Sequence, residues 1–412
     1  MSMTENKINF ISSEIARSKP YLQGEFNVAN APKSVLDSQR AARESIHQLV
    51  FPGNKDEAWR KTNISKLPLD ALSLAGETQI ELSNAPEGVA FLTLKDAMLQ
   101  MPELLNEKLN KLVQPDTDKF SALASGYAQS GFVLVIPPNT VIDAPLEATI
   151  FIAQDGSIQN SQVLVIVGEN ASATLHLRYT DAGGQTSALH SGTVEVYLED
   201  NAHFRLVEQQ QLGRESWYFS HEKASVGNDA VLDWVYFAFG SKLTKSFIDV
   251  SLTGKGSEAR VDGLTITNSG QYIDLDTQQD HLAPNTFSNL NFKAALMGDS
   301  KNVWQGMIFV DPIAKQTDGY QTSRSLILDK RAHAEAIPGL EIKTDDVRCS
   351  HGATISQIDD EIVFYLKSRG VDEATARNLI VNGFFEEILD KINDEKMREE
   401  IRIMIQKKLT EE

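Results

Sequence analysis

The chain has 412 residues, too many for one ordinary compact core unless a repeat extends that core along one axis. Its 57 acidic against 39 basic residues give a net charge of −18, a field that repels phosphate backbones and anionic lipid and so excludes nucleic acid and charged membrane surfaces as partners. A single cysteine excludes an internal disulfide, which fits a reducing compartment.

The first stretch, MSMTENKINFISSEIARSKP, lacks the continuous apolar region of a secretory signal, and runs such as Phe132 to Ile136 fall far short of a membrane span. The expectation is a soluble, cytoplasmic protein. From Asn6 to about Gln129 the sequence leans helical. Ser34 is placed to cap a helix through SVLDSQRAARESIHQLVF, with Val35, Ala42, Ile46, Leu49 and Val50 on one face and Pro52-Gly53 ending it. A second helical stretch, LKDAMLQMPELLNEKLNKLV, is broken at Pro102, which starts a helix more easily than it continues one. Trp59, between charged residues, reads as a packing anchor for its neighbours.

Between Gly131 and about Leu340 short alternating apolar segments are separated by Gly, Asn and Asp, the pattern of half-buried strands and turns. Segments such as VLVIVGENASATLHL and VEVYLEDNAHFRLVE place a polar turn between two strand-like halves. These turns centre on Asn170, Asn201, Asp229, Glu258, Ser300 and Arg331. Their spacing of roughly 30 residues, with one longer interval before Ser300, points to a stacked array, and the absence of helical stretches between them favours a β-helix over α/β repeats. A β-sandwich gives similar local patterns without a reason for a fixed period. Aromatic residues from Trp217 to Phe239 fall in this region, and alternation assigns most of them to core or interface.

Two motifs fail on inspection. No G-x-x-x-x-G-K-[ST] occurs, so the chain should bind no ATP through a phosphate loop. Gly254, Gly256 and Ala259 satisfy G-x-G-x-x-A, but strand-like sequence follows where a helix must begin. Asp262, Asp274, Asp276 and Asp280 supply an alternative function: a β-helix enzyme acting on carbohydrate, with paired strand carboxylates as general acid and base.

After Ile358 the period turns helical. Asp359 or Asp360 caps IVFYLKSR, Gly370 closes it, and Asp372 caps EATARNLIVNGFFEEILDKI. The last segment, EKMREEIRIMIQKKL, sets Met397, Ile401, Ile403, Met404 and Leu409 on or near one face, either against its own domain or toward a partner. Just before these helices, Cys349 and His351 flank Ser350, so an extended Val347–His351 sends both side chains from one face. A thiol and an imidazole placed together are candidate ligands for zinc, copper or iron, although a buried cysteine and an ordinary hydrogen-bonded histidine give the same pattern. An iron–sulfur cluster takes four protein ligands, so these two residues cannot hold one alone.

The run DDVRCSHGATISQIDDEIVFYLKSRG, with ARNLIVNGFF after it, resembles the C-terminal part of the SufB/SufD family of the SUF iron–sulfur cluster assembly machinery. CSHGAT sets the resemblance on the SufD side, and DEAWRKTNISKL (Asp56 to Leu67) is similar to a tryptophan-containing segment of that branch. The resemblance implies a mainly β fold with flanking α: a right-handed parallel β-helix-like core between N-terminal and C-terminal helical domains. The corresponding boundaries are 1–130, 131–345 and 346–412, the last uniting an interface segment with a helical ATPase-docking domain. It further implies a non-catalytic scaffold that pairs with SufB through the β-helix and docks the SufC ATPase through its last helices. Contacts to SufC are expected at Gly383, Phe384 and Phe385, and His351 with Cys349 at a transient cluster shared with SufB. Reduced flavin accompanies the family complex, no residue here maps to it, and a homodimer of the chain alone stays open.

Overall fold

The computed structural model describes residues 32–76, 78–152, 154–181 and 186–410. The chain before residue 32, including the stretch from Asn6 read as helix-leaning and free of a secretory signal, lies outside the described residues.

Period-two alternation builds the centre of the molecule. Eight parallel strands (Ser130–Ile136, Ser157–Val167, Ala188–Leu198, Trp217–Val226, Leu243–Leu252, Tyr272–His281, Lys301–Val310 and His333–Ile342) stack into one sheet. The intervening strands (Leu146–Phe151, Ser172–Thr180, His203–Gln211, Val231–Ala238, Glu258–Thr267, Phe287–Leu296, Thr317–Ile327 and Val347–Gln357) stack into a second. Successive strands alternate between the sheets, so each turn contributes one strand to each wall. The product is a parallel β-solenoid of about eight turns in a mainly β chain with flanking helices. Alternate residues such as Val194, Val196, Leu206, Leu232, Ile248 and Leu275 fill the space between the walls at 0–1% exposure, which leaves no channel there for a substrate.

One column of turns explains the period. Asn139, Asn170, Asn201, Asp229, Gly256, Asn285 and Gln316 all have positive φ, between 50° and 73°. Each sends its N–H to a carbonyl of the next turn, from Asn139 to Glu169 at 2.8 Å through to Gln316 to Asp346 at 2.6 Å. Asparagine, aspartate and glycine tolerate this left-handed backbone better than branched residues do. The sequence-predicted centres at Asn170, Asn201 and Asp229 lie in this column. Those at Ser300 and Arg331 do not: they belong to the bends on the opposite edge, half a turn away, which is why the interval before Ser300 reads long. Glu258 opens a strand two residues past the true centre, Gly256.

The first turn is covered. Ala90–Thr93 pairs antiparallel with Ser130–Ile136, and Ile80–Leu82 antiparallel with Leu146–Phe151. Helices α1 (Lys33–Gln48), α2 (Leu94–Gln100), α3 (Pro102–Lys108) and α4 (Lys119–Gly126) lie beside them. Pro32, not Ser34, occupies the N-cap of α1, and Ser34 instead accepts a hydrogen bond from Asn106. Pro102 opens α3 as its first residue. Trp59 is buried and stacks on Phe120, which stacks on Phe219 of the solenoid wall at 3.9 Å, so the anchor reading of this tryptophan holds.

At the other end α5 (Asp360–Ser368), α6 (Glu373–Leu389) and α7 (Glu395–Thr410) fold back along the outer face of the second sheet. Asp359 and Asp372 cap α5 and α6 through their side chains, and Gly370 takes φ of 92° between them. The apolar face of α7 is Met397, Ile401 and Ile405, turned into its own domain, whereas Ile403 is exposed. A four-residue step keeps Ile401 and Ile405 aligned and rotates Ile403 away.

Candidate functional site

The solenoid is capped at its start and open at its finish. Among the described residues His333–Ile342 pairs only with Lys301–Val310, and Val347–Gln357 only with Thr317–Ile327, so both sheets end on strands whose outer backbone groups have no ladder partner there. Cys349 and His351 lie on this last strand, opposite Gly319 and Gln321. They share its inner face, as period-two spacing predicts.

Their environments differ. Cys349 is half-buried and packs against Ile308, Val310 and Ala314. A Cβ at Gly319 would sit 3.3 Å from Cys349 Sγ and 3.3 Å from His281 Nε2, so glycine keeps the space beside the sulfur open. Burial raises the thiol above its ordinary range, with the Asp318 charge acting the same way against a backbone hydrogen bond at Gly319. Cys349 is therefore a protonated thiol at neutral pH, and a metal must displace that proton to bind it. His351 is exposed at the open end. His281, one strand-pair deeper, is buried, pulled down to about 4 by desolvation and held between Thr286 and Ser288 at 2.7 and 2.9 Å, which makes it structural. Among the described residues no three His, Cys, Asp or Glu side chains are grouped to hold a metal ion. This chain alone offers two donors at an edge.

The helical contact residues separate as well. Gly383 is exposed, Phe384 is half-buried under the Lys293 ammonium, and Phe385 is 0% exposed in the core of the C-terminal helices. Phe385 is thus unavailable to a partner: it faces the core beside Val381, Ile388 and Leu389, while apolar residues scattered around α6 leave the inward side unmarked in the sequence. The exposed large apolar residues of these helices are instead Ile362, Phe364 and Tyr365 of α5, with Leu379 of α6 and Ile403 of α7, and Phe364 is 73% exposed. The sequence signal was there: a nine-residue amphipathic helix with Val363 alone buried.

The acidic residues do not converge on a cleft. Asp274 is wholly buried with Lys245, Nζ to Oδ1 at 3.1 Å, and accepts a hydrogen bond from Thr62. Asp276 lies 3.6 Å from the same ammonium. Asp262 sits on the other sheet, raised to about 6 by burial among the C-terminal helices with Lys391 opposing. Trp217, Tyr218, Phe219, Trp234, Tyr236, Phe237 and Phe239 are all buried. A sugar-binding groove has neither its acids nor its platforms, so the carbohydrate-enzyme alternative is not favoured. The G-x-G-x-x-A match is likewise a turn between strands, with Glu258–Thr267 following it.

The described residues thus form a two-walled parallel β-solenoid, covered at its first turn and edged by a cysteine and a histidine at its last. A family model described as SUF system FeS cluster assembly, SufBD core domain, matches residues 150–384, and one described as SufBD protein N-terminal region matches residues 75–148. The chain belongs to the SufBD family of SUF iron–sulfur cluster assembly. It is 29% identical over 378 residues to an iron–sulfur cluster assembly SufBD family protein of Mycobacterium leprae, covering 89% of this chain and 92% of that one. A relative of the same description from Mycobacterium bovis is 30% identical over 375 residues, 88% of this chain and 91% of the other. A Staphylococcus epidermidis relative is 29% identical over 300 residues, 73% of this chain and 64% of that protein. No helix among the described residues is long and apolar enough to cross a membrane.

Proposed function

We propose that this chain is the SufD-type member of the family, a non-catalytic cytoplasmic scaffold that pairs with SufB through the open end of its solenoid and docks the SufC ATPase through its C-terminal helices. The observation that carries the reading is the uncapped last turn: two edge strands with free backbone donors and acceptors form a template for a second sheet. Cys349 and His351 lie on that template with two ligands too few for a cluster, so the remaining ligands are the partner's. A cluster formed there is cargo, built and passed on. The exposed Ile362, Phe364 and Tyr365, with Gly383 and Phe384 on the next helix, give SufC an apolar surface. Reduced flavin belongs to the same proposal as a component of the complex, with no site assigned on this chain. A second copy of the chain is the occupant of the open edge when SufB is absent.

The test is co-expression with SufB and SufC. His351→Ala is expected to leave the purified complex and its ATP hydrolysis intact while abolishing cluster assembly, because the side chain is exposed and its packing is worth within about 0.5 kcal/mol. Cys349→Ser is expected to do comparable harm if the thiolate ligates, since a hydroxyl is a poor ligand for iron. Full cluster assembly by the His351→Ala complex refutes the ligand role. Failure of SufB to copurify with the unmodified chain refutes the pairing.

A further inference from the structure

Within the third and fourth turns the apolar filling is interrupted by two glutamates. Glu208 projects inward from His203–Gln211 and Glu222 from Trp217–Val226 on the facing wall, at 0% and 1% exposure. Tyr236 stacks over Glu208 along one sheet, and Glu222 sits between Val194 and Ile248 along the other. One oxygen of each acid is satisfied: Glu208 Oε2 accepts from Trp234 Nε1 at 3.3 Å, and Glu222 Oε1 from Ser220 Oγ at 2.5 Å. The other oxygens, Glu208 Oε1 and Glu222 Oε2, have no donor among the described residues. The two carboxyl groups nevertheless lie within hydrogen-bonding reach of each other.

Among the described residues no positive charge faces inward beside the pair. Tyr179, Tyr218 and Tyr236 face the pair with neutral hydroxyls, and His190, stacked on Tyr218, is held neutral by burial that pulls it to about 3. His221 and Asp249 act from the outer face of the wall, with opposite signs. Two adjacent ionised carboxylates in such a place are disfavoured twice, by desolvation and by mutual repulsion. One hydrogen satisfies both orphan oxygens at once.

We propose that Glu208 and Glu222 form an acid–carboxylate pair that holds a single proton between Glu208 Oε1 and Glu222 Oε2 and locks the third and fourth turns across the solenoid interior, so that losing the proton loosens the scaffold at this level. The proton comes from solvent during folding and returns there on opening. Burial raises both acids in the folded chain, whereas the unfolded chain releases its protons near the ordinary glutamate value of about 4.3. Folding then takes up a proton, and the stability it contributes declines as pH rises above that value.

Infrared titration of the unmodified chain in deuterated buffer tests this without a variant. At about pH 8, Asp249, Asp262 and Asp276, raised to about 6, are ionised, and Glu195, which burial also raises against four backbone N–H donors, is subtracted with a Glu195→Gln spectrum. A neutral-carboxyl carbonyl band equivalent to one group is expected to remain. Glu208→Gln and Glu222→Gln, nearly isosteric, are each expected to remove that band from the difference spectrum and to flatten the fall of Tm between about pH 6 and pH 9, since an amide donates without titrating. Absence of the band in the unmodified chain overturns the proposal, as does its persistence in both variants.

Discussion

The buried Lys245–Asp274 pair is the sharpest test of how the N-terminal segment is fastened to the solenoid wall. Both side chains are 0% exposed and 3.1 Å apart, Thr62 of the N-terminal segment donates to Asp274, and Tyr272 donates to the carbonyl of Lys61 beside it. The ammonium also lies 4.6 Å from the centre of the Phe247 ring, which meets Trp59 in a tilted pair with centroids 5.6 Å apart. At 3.1 Å and an effective dielectric of about 20, the Coulomb attraction is about 5 kcal/mol, most of it offset by the desolvation of both charges. Removing one partner forfeits the attraction and keeps the desolvation. Lys245→Met, which strands Asp274, is therefore expected to cost about 3–5 kcal/mol. Asp274→Asn is expected to cost less, about 2–3 kcal/mol, because Asp276 at 3.6 Å partly neutralises the ammonium that remains. The double variant, with no charge left unpaired, should cost less than the sum by about 2 kcal/mol. Urea unfolding of the four proteins, followed by circular dichroism, measures the cycle. Additive losses, or a Lys245→Met cost below about 1 kcal/mol, would refute the claim that this pair is buried and coupled.

Two further outcomes follow from the same packing. His221 Nε2 meets Asp118 Oδ2 at 3.0 Å, both nearly buried, joining the N-cap of α4 to the wall. Burial works against the charged imidazole, but the Asp118 charge and hydrogen bond outweigh it and raise His221. Burial likewise opposes the ionised Asp118, which His221 nonetheless holds below the usual carboxylate range. The histidine contribution is complete below its unfolded value of about 6.5 and is lost as pH rises through the raised folded value; the aspartate contribution is present above about 3.9 and lost as pH falls through the lowered one. The stability difference between the unmodified chain and His221→Gln, about 1.5–3 kcal/mol, should peak between those limits and shrink in alkaline buffer; a gap that widens with pH contradicts the assignment. Truncation after Ile358 should yield an aggregating protein, because α5–α7 cover Val207, Val235, Phe237, Leu264 and Ile266 on the outer face of the second sheet. A monodisperse truncated chain in light scattering would refute that cover.

Local periodicity made the solenoid readable, and long-range register hid most of its chemistry. Strand alternation placed Cys349 and His351 on one face, because a two-residue repeat fixes direction without knowledge of the neighbours. Capping chemistry located α5 and α6 through Asp359 and Asp372 in the same local way. Asn285 and Gln316 escaped notice because the asparagine follows Pro284 and the glutamine is not a usual left-handed residue, so their place in the column emerges only from stacking. The burial of Phe385 depended on how α6 is rotated, which its apolar residues, scattered around the helix among polar ones, do not encode. Glu208 and Glu222 share the inward parity of Leu206 and Ala224, but only the stacking of two distant strands brings the acids opposite each other.

The asymmetry between the two ends of the solenoid bears on stoichiometry. At about 4.8 Å per turn, the open edge lies roughly 34 Å from the first turn. That first turn ends on strands of three and four residues running antiparallel, a short and mismatched template beside an exposed edge of ten- and eleven-residue strands. If the proposed pairing proceeds by strand addition, it consumes the one long template among the described residues of each molecule. Growth would then stop at two, and a protein built from stacked sheets, whose geometry otherwise invites fibres, would carry its own chain terminator.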